Sequence, residues 1–197
     1  MHAKKIKALE TKKRISESAL TLFKEVGFEN MSIDSIVERA GVSKGTFYVH
    51  YESKYSLIEE YVSSLDLDYE DYFSSLPLDI KPSHLLSLVP EKIADVLVHK
   101  IGYDVIKVVY LAQLTKAFKL DSQLNYNRKL YQIFREIIRQ GIEQGEFNET
   151  IDVDEAANHC VMSIRGMTYE WCIRFPVFDL KEEIVKHFNL LLSGIKK

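Results

Sequence analysis

Apolar side chains recur three and four residues apart from Ile15 to Ile195, and almost nowhere does the chain alternate apolar with polar residues as a half-buried strand does. This periodicity predicts an all-α fold. Ile15, Ala19, Leu22, Phe23 and Val26 form one stripe, which Gly27 can close in the left-handed conformation. Ser32 suits the N-cap of a short helix with Ile33, Ile36, Val37 and Ala40 inward and Asp34 in the first turn, where the helix dipole favours an acid. Gly41 ends that helix, Ser43 caps a second short one with Phe47 and Tyr51 inward, and Ser53 caps a longer helix over 54–73. A loop through Pro77 and Pro82 follows. Further helices are expected over 83–100, interrupted near Pro90 because proline lacks a backbone donor, and over 103–118, 122–144, 154–174 and 180–195. Gly145 closes the third of these and Pro176 separates the last two.

Composition limits what such a helical chain can be. With 197 residues, 46% hydrophobic and 28% charged, it can bury a core in one or two compact domains. No apolar run reaches the ~18 residues of a bilayer span. The basic N-terminus lacks the apolar stretch and cleavage site of a secretory signal. No membrane partner and a cytoplasmic location are therefore expected. Cys160 and Cys172 fall in one helical segment, about 18 Å apart at the helical rise per residue, too far for a disulfide. They read as small buried apolar residues. The six histidines show no zinc-ligand spacing, and there is no nucleophile–base spacing or phosphate loop, so no metal, cofactor or catalytic residue is expected. The net charge of −3 argues against a polyanionic partner, but its distribution reverses that inference. Residues 1–54 carry ten Lys or Arg against seven Asp or Glu, and Met1 to Arg14 holds six basic residues against Glu10 alone. A basic end on an acidic body suits a protein that presents that end to DNA.

The two short helices joined through Gly41 and Val42 form a unit whose second helix can enter a major groove. Ser43, Lys44, Gly45 and Thr46 sit in or at its first turn. Gly45 costs about 1 kcal/mol of helix stability relative to alanine yet permits close backbone approach. With Phe47 and Tyr51 inward, Tyr48 and His50 can donate to phosphate oxygens, as can Lys54 at the start of the next helix. The run Thr11 to Leu57, above all SIDSIVERAGVSKGTFYVHYESKYSL, closely resembles the DNA-binding domain of TetR-family regulators over about a quarter of the chain. GIEQGEF, DVDEAA and the helix holding Gly166 and Trp171 are similar, more weakly, to late helices of that family. The resemblance implies a three-helix helix-turn-helix DNA-binding domain over 1–54 and a helical effector-binding and dimerisation domain over 55–197, in a homodimer that binds double-stranded operator DNA. Carried over by position, Ser32, Tyr48, His50 and Lys54 would hold phosphates, while Lys44, Gly45 and Thr46 would lie nearest the base edges. Val49 stands where relatives are often basic or polar, so few long donors reach the bases from this helix.

Wide apolar faces on 154–174 and 180–195 exceed what one core contact requires. With the resemblance, they point to a four-helix bundle formed with a second copy through Cys160, Ser163, Met167, Ile184, Phe188, Leu191 and Ile195. The middle of the chain is rich in aromatics. Tyr69, Phe73, Tyr103, Tyr110 and Tyr126, with Met162, Arg165 and Trp171, are expected to line a largely apolar cavity for an unknown small-molecule effector. Arg165 and His159 lie on a mostly apolar helix, where a buried charge needs a partner and an anionic effector can supply one. The expected function is a ligand-responsive transcriptional regulator, a repressor released from its operator by the effector. The alternative is an effector-independent DNA-bound adaptor acting through a protein partner, which needs no pocket.

Overall fold

The computed structural model describes residues 2–77, 79–116 and 128–197. Its helices are α1 (His2–Asn30), α2 (Ile33–Ala40), α3 (Lys44–His50), α4 (Lys54–Ser75), α5 (Pro82–Asp95), α6 (Tyr103–Leu114), α7 (Lys129–Glu143), α8 (Val153–Arg174) and α9 (Leu180–Ile195). A π-helical turn, Val96–Ile101, follows α5 directly. Among the described residues the one β-type pairing is a single bridge between Phe147 and Lys196. Two compact units are present, one built on residues 1–61 with the end of α6 from Leu111, the other on residues 62–110 with the C-terminal helices.

In the first unit, Ile15, Ala19, Leu22 and Phe23 of α1 are buried against α2, as their spacing predicts. Gly27 departs from the expected left-handed closure. Its φ of 78° is paired with a ψ of 162°, which breaks the helix without the αL turn and swings Phe28 beneath it. Phe28 is 4% exposed and lies 4.8 Å from the Tyr55 ring. Val26, expected inward, is 44% exposed, because Phe28 takes the interior position after the break.

The second unit is a helical stack in which α5 packs on α9 and α7, and α8 packs on α7 and α9. Two expectations fail in α5. Pro82 belongs to its first turn, where a missing N–H costs nothing, rather than to the preceding loop. Pro90 does not interrupt the helix, and the irregularity falls instead at the π turn that ends at Gly102 (φ 84°). Gly145 closes α7 as expected, with φ 72° and the Glu146 N–H donating to the Gly141 carbonyl at 2.8 Å. The expected ends near residues 118 and 122 lie outside the described residues. Phe147 is fully buried over Gly141, and the Asn148 N–H bonds the Ile195 carbonyl at 3.0 Å, tying the end of α9 to the α7–α8 loop. Among the described residues, no helix is long and apolar enough to cross a membrane, and no group of ligating side chains is arranged to hold a metal ion.

Candidate nucleic-acid interface

Two caps set the geometry of the helix-turn-helix. The Ser32 hydroxyl accepts from the Ser35 N–H at 3.0 Å and the Ser32 N–H donates to the Ser35 hydroxyl at 3.1 Å, a reciprocal capping box that starts α2. Gly41 ends α2 in the left-handed region (φ 62°, ψ 42°), with the Val42 N–H bonded back to the Val37 carbonyl at 3.0 Å. The Ser43 hydroxyl then accepts from the Thr46 N–H at 3.1 Å and starts α3. The side chain of Phe47 is fully buried, and Tyr51, 3% exposed, follows it into the core. The Tyr51 hydroxyl donates to Glu60 at 3.2 Å, and burial first, then this carboxylate, pushes its pKa up.

With Phe47 and Tyr51 inward, Lys44, Gly45, Tyr48 and Val49 form the exposed side of α3, Tyr48 at 56% and Val49 at 80%. Thr46 and His50 are half-buried at its flanks. A Cβ added at Gly45 would meet only the Ser43 hydroxyl, at an ordinary 3.7 Å, so nothing within the protein requires a glycine there. Lys44 is not a free donor. Its Nζ lies 2.6 Å from Asp34 Oδ1 in the first turn of α2, and this hydrogen bond, followed by the charge of Asp34, raises the lysine pKa. That pairing was not anticipated, although the two caps place both residues in the first turns of adjoining helices.

Lys54 also differs from expectation. Its ammonium donates to the carbonyls of Phe28 at 2.8 Å and Met31 at 3.2 Å and stands 4.4 Å over the Phe28 ring. Its position at the start of α4 predicts a phosphate partner. In the structure it fastens the first turn of α4 to the junction between α1 and α2, because the Gly27 break leaves carbonyls there in need of donors. Arg39 is likewise paired with Glu25 at 2.7 Å, and Lys12 with Glu60 at 2.6 Å.

Residues 15–61 match the model of the bacterial regulatory proteins of the tetR family. Over 96% of its length the chain is 27% identical to the HTH-type transcriptional regulator AcrR of Shigella flexneri, 91% of which is covered. It is 30% identical to the HTH-type transcriptional regulator YdeS of Bacillus subtilis over 73% of this chain and 71% of that protein. The chain belongs to the TetR family of bacterial transcriptional regulators. The same fold is seen in the crystal structure of the TetR-family repressor FadR of Thermus thermophilus in complex with lauroyl-CoA. The TM-score is 0.77 and the identity 23%, with 93% of this chain and 94% of that one covered.

In this TetR-family chain four of the residues expected to line an effector cavity meet in pairs between α6 and α8. Tyr103 stacks on Phe175 at 4.1 Å and meets Trp171 edge-on at 6.0 Å. The Tyr110 hydroxyl donates to the Arg165 carbonyl at 2.7 Å, and burial pushes its pKa up. Tyr69 is buried in α4, and Phe73 lines a cavity of about 340 Å³ with Leu85 and Gln140. Met162 is 54% exposed on α8. Tyr126 lies outside the described residues.

The residues expected at a dimer face divide similarly. Cys160, Ile184 and Phe188 are 1%, 0% and 1% exposed within the single chain, with Phe188 stacked on Phe134 at 5.8 Å. These three are core residues and leave no surface for a partner, a correction to their assignment. Ser163, Met167, Leu191 and Ile195 remain partly exposed. Cys160, Leu191, Ile195 and His159 also border a cavity of about 350 Å³ between the α8 start and the α9 end. The apolar side chains that α8 and α9 do expose are Met162, Tyr169 and Ile173, which share one stripe of α8, and Leu190.

Proposed function

We propose that the chain is a ligand-responsive repressor that binds operator DNA as a homodimer, with residues 1–54 as its DNA-binding domain and residues 55–197 as its effector-binding and dimerisation domain. The observation that carries the reading is the exposed side of α3. Lys44, Gly45, Tyr48 and Val49 face outward from a capped and well-packed helix, and the glycine among them serves no packing need of the protein itself. Such a surface fits a helix laid in a major groove, with Lys44 and Thr46 nearest the bases and Ser32, Ser43, Tyr48 and His50 toward phosphates. With Lys54 paired to the Phe28 and Met31 carbonyls and Val49 outward, base choice rests on few groups, and DNA shape contributes the remainder. On this reading the protein acts in the cytoplasm and catalyses no reaction.

Dimerisation uses the outward faces of α8 and α9, with Leu190 and the Met162, Tyr169 and Ile173 stripe supplementing Ser163, Met167, Leu191 and Ile195. Leu190→Glu places a charge on a surface that a partner must dry, and sedimentation is expected to show a shift from dimer to monomer. The effector class to test first is an acyl-CoA thioester, because a protein of this fold holds lauroyl-CoA. Effector binding favours a conformer in which the two reading heads no longer match successive grooves. The test is a DNA titration with and without saturating lauroyl-CoA, using the duplex that the protein itself selects from a random pool. Loss of affinity on addition of the thioester is the expected result, and unchanged affinity with medium- and long-chain thioesters alike excludes this effector class.

A further inference from the structure

The ion pair between Lys44 and Asp34 links the two helices of the reading head at the surface offered to DNA, with both side chains more than half exposed. We infer that Asp34 is a specificity-determining residue, an internal competitor that holds the Lys44 ammonium until a base edge offers acceptors good enough to replace it. The inference rests on the placement of α3 against DNA proposed above.

Lys44 is the one lysine or arginine within α3, and Val49 leaves the helix without a second long donor. Any gain in discrimination must then come from how this lysine chooses its partner. A single phosphate oxygen offers the ammonium about what a carboxylate already gives it. Exchanging Asp34 for a phosphate therefore gains little and leaves the Asp34 carboxylate unpaired beside a polyanion. A guanine presents two adjacent acceptors, N7 and O6, in the major groove, and a lysine can engage both. The exchange is thus favourable at a cognate guanine and unfavourable on random sequence. Asp34 is held in place for this role by α2, since the Ser32–Ser35 capping box fixes the first turn in which it sits. The carboxylate can also accept from a cytosine amine once the lysine has moved.

The experiment compares the parent with Asp34→Asn, Asp34→Ala, Lys44→Ala and the Asp34→Asn/Lys44→Ala double variant. Each is titrated with the duplex selected by the parent from a random pool and with a scrambled duplex of the same composition, from about 50 to 200 mM salt. Circular dichroism melts confirm that each variant is folded. Both Asp34 variants are expected to bind the scrambled duplex about three- to tenfold tighter, with a salt slope steeper by about 0.9, as one more phosphate contact gives. The selected duplex is expected to gain less, so the ratio of the two affinities falls. With Lys44 already replaced by alanine, Asp34→Asn should leave the ratio unchanged. The inference is overturned if the Asp34 variants keep the parental ratio while Lys44→Ala weakens binding. It is also overturned if Asp34→Asn tightens binding equally with and without Lys44, because the acid would then act only as a general negative charge. If Lys44→Ala leaves both duplexes unaffected, the placement of α3 on DNA fails as well, and the inference falls with it.

Discussion

At the scale of single residues, Lys54 shows how a side chain's partners decide its role. The lysine at the start of α4 has the charge and the helix position of a phosphate donor, yet the carbonyls of Phe28 and Met31 and the Phe28 ring take its ammonium. Lys54→Ala removes two charge-assisted hydrogen bonds and a cation–π contact and leaves two carbonyls to find water. The expected cost is about 1–3 kcal/mol, read from the denaturant midpoint. The two thiols offer a second check. Burial pushes Cys160 up to about 12 and Cys172 up to about 11 from 9.0. Because the folded values are raised, the stability contributed by keeping these thiols neutral is complete below the unfolded value. It fades as pH rises above 9.0 toward 12. Native protein near neutral pH is expected to resist iodoacetamide and unfolded protein to react. Charged pairs such as Lys44 with Asp34 could not be foreseen from residue type, since both residues read equally well as solvated side chains until the fold set them 2.6 Å apart.

At the scale of elements, local signals carried furthest where the determinant lay within a few residues. The α2 and α3 boundaries were readable because Ser32, Gly41 and Ser43 act on the backbone next to them. The α1 end and the course of α5 were not, because tertiary packing decided them. Gly27 adopts the conformation that buries Phe28, and Pro90 stays helical within an α5 segment buried against α9 and α7. One packing relation invisible in the sequence gives a sharp test. A Cβ at Gly141 would lie 2.1 Å from Cδ2 of the fully buried Phe147 ring. Gly141→Ala therefore forces this ring or α7 to move. A loss of about 3 kcal/mol is expected, despite alanine's better helix propensity, and thermal unfolding would measure it.

At the scale of the whole molecule, the sequence made the all-helical architecture and the reading head legible. Helical periodicity reports secondary structure, and the dense signature through Gly41 and Lys44 reports the motif. It did not separate core from partner surface on α8 and α9. Cys160, Ile184 and Phe188 have the same apolar character whether they face their own chain or another, and only tertiary packing, such as the stack of Phe188 on Phe134, turns them inward. The residues proposed for an effector site were legible only as an aromatic-rich composition, which a solid core shares. The proposal common to all three scales is that this regulator grips DNA through the exposed side of α3. The most direct measurement is a titration of the parent, Lys44→Ala and Tyr48→Ala with the DNA flanking the protein's own gene at one fixed salt concentration. Specific binding by the parent and a loss of about 1–3 kcal/mol in each variant are expected; parental affinity in both variants would place the DNA contact elsewhere than α3.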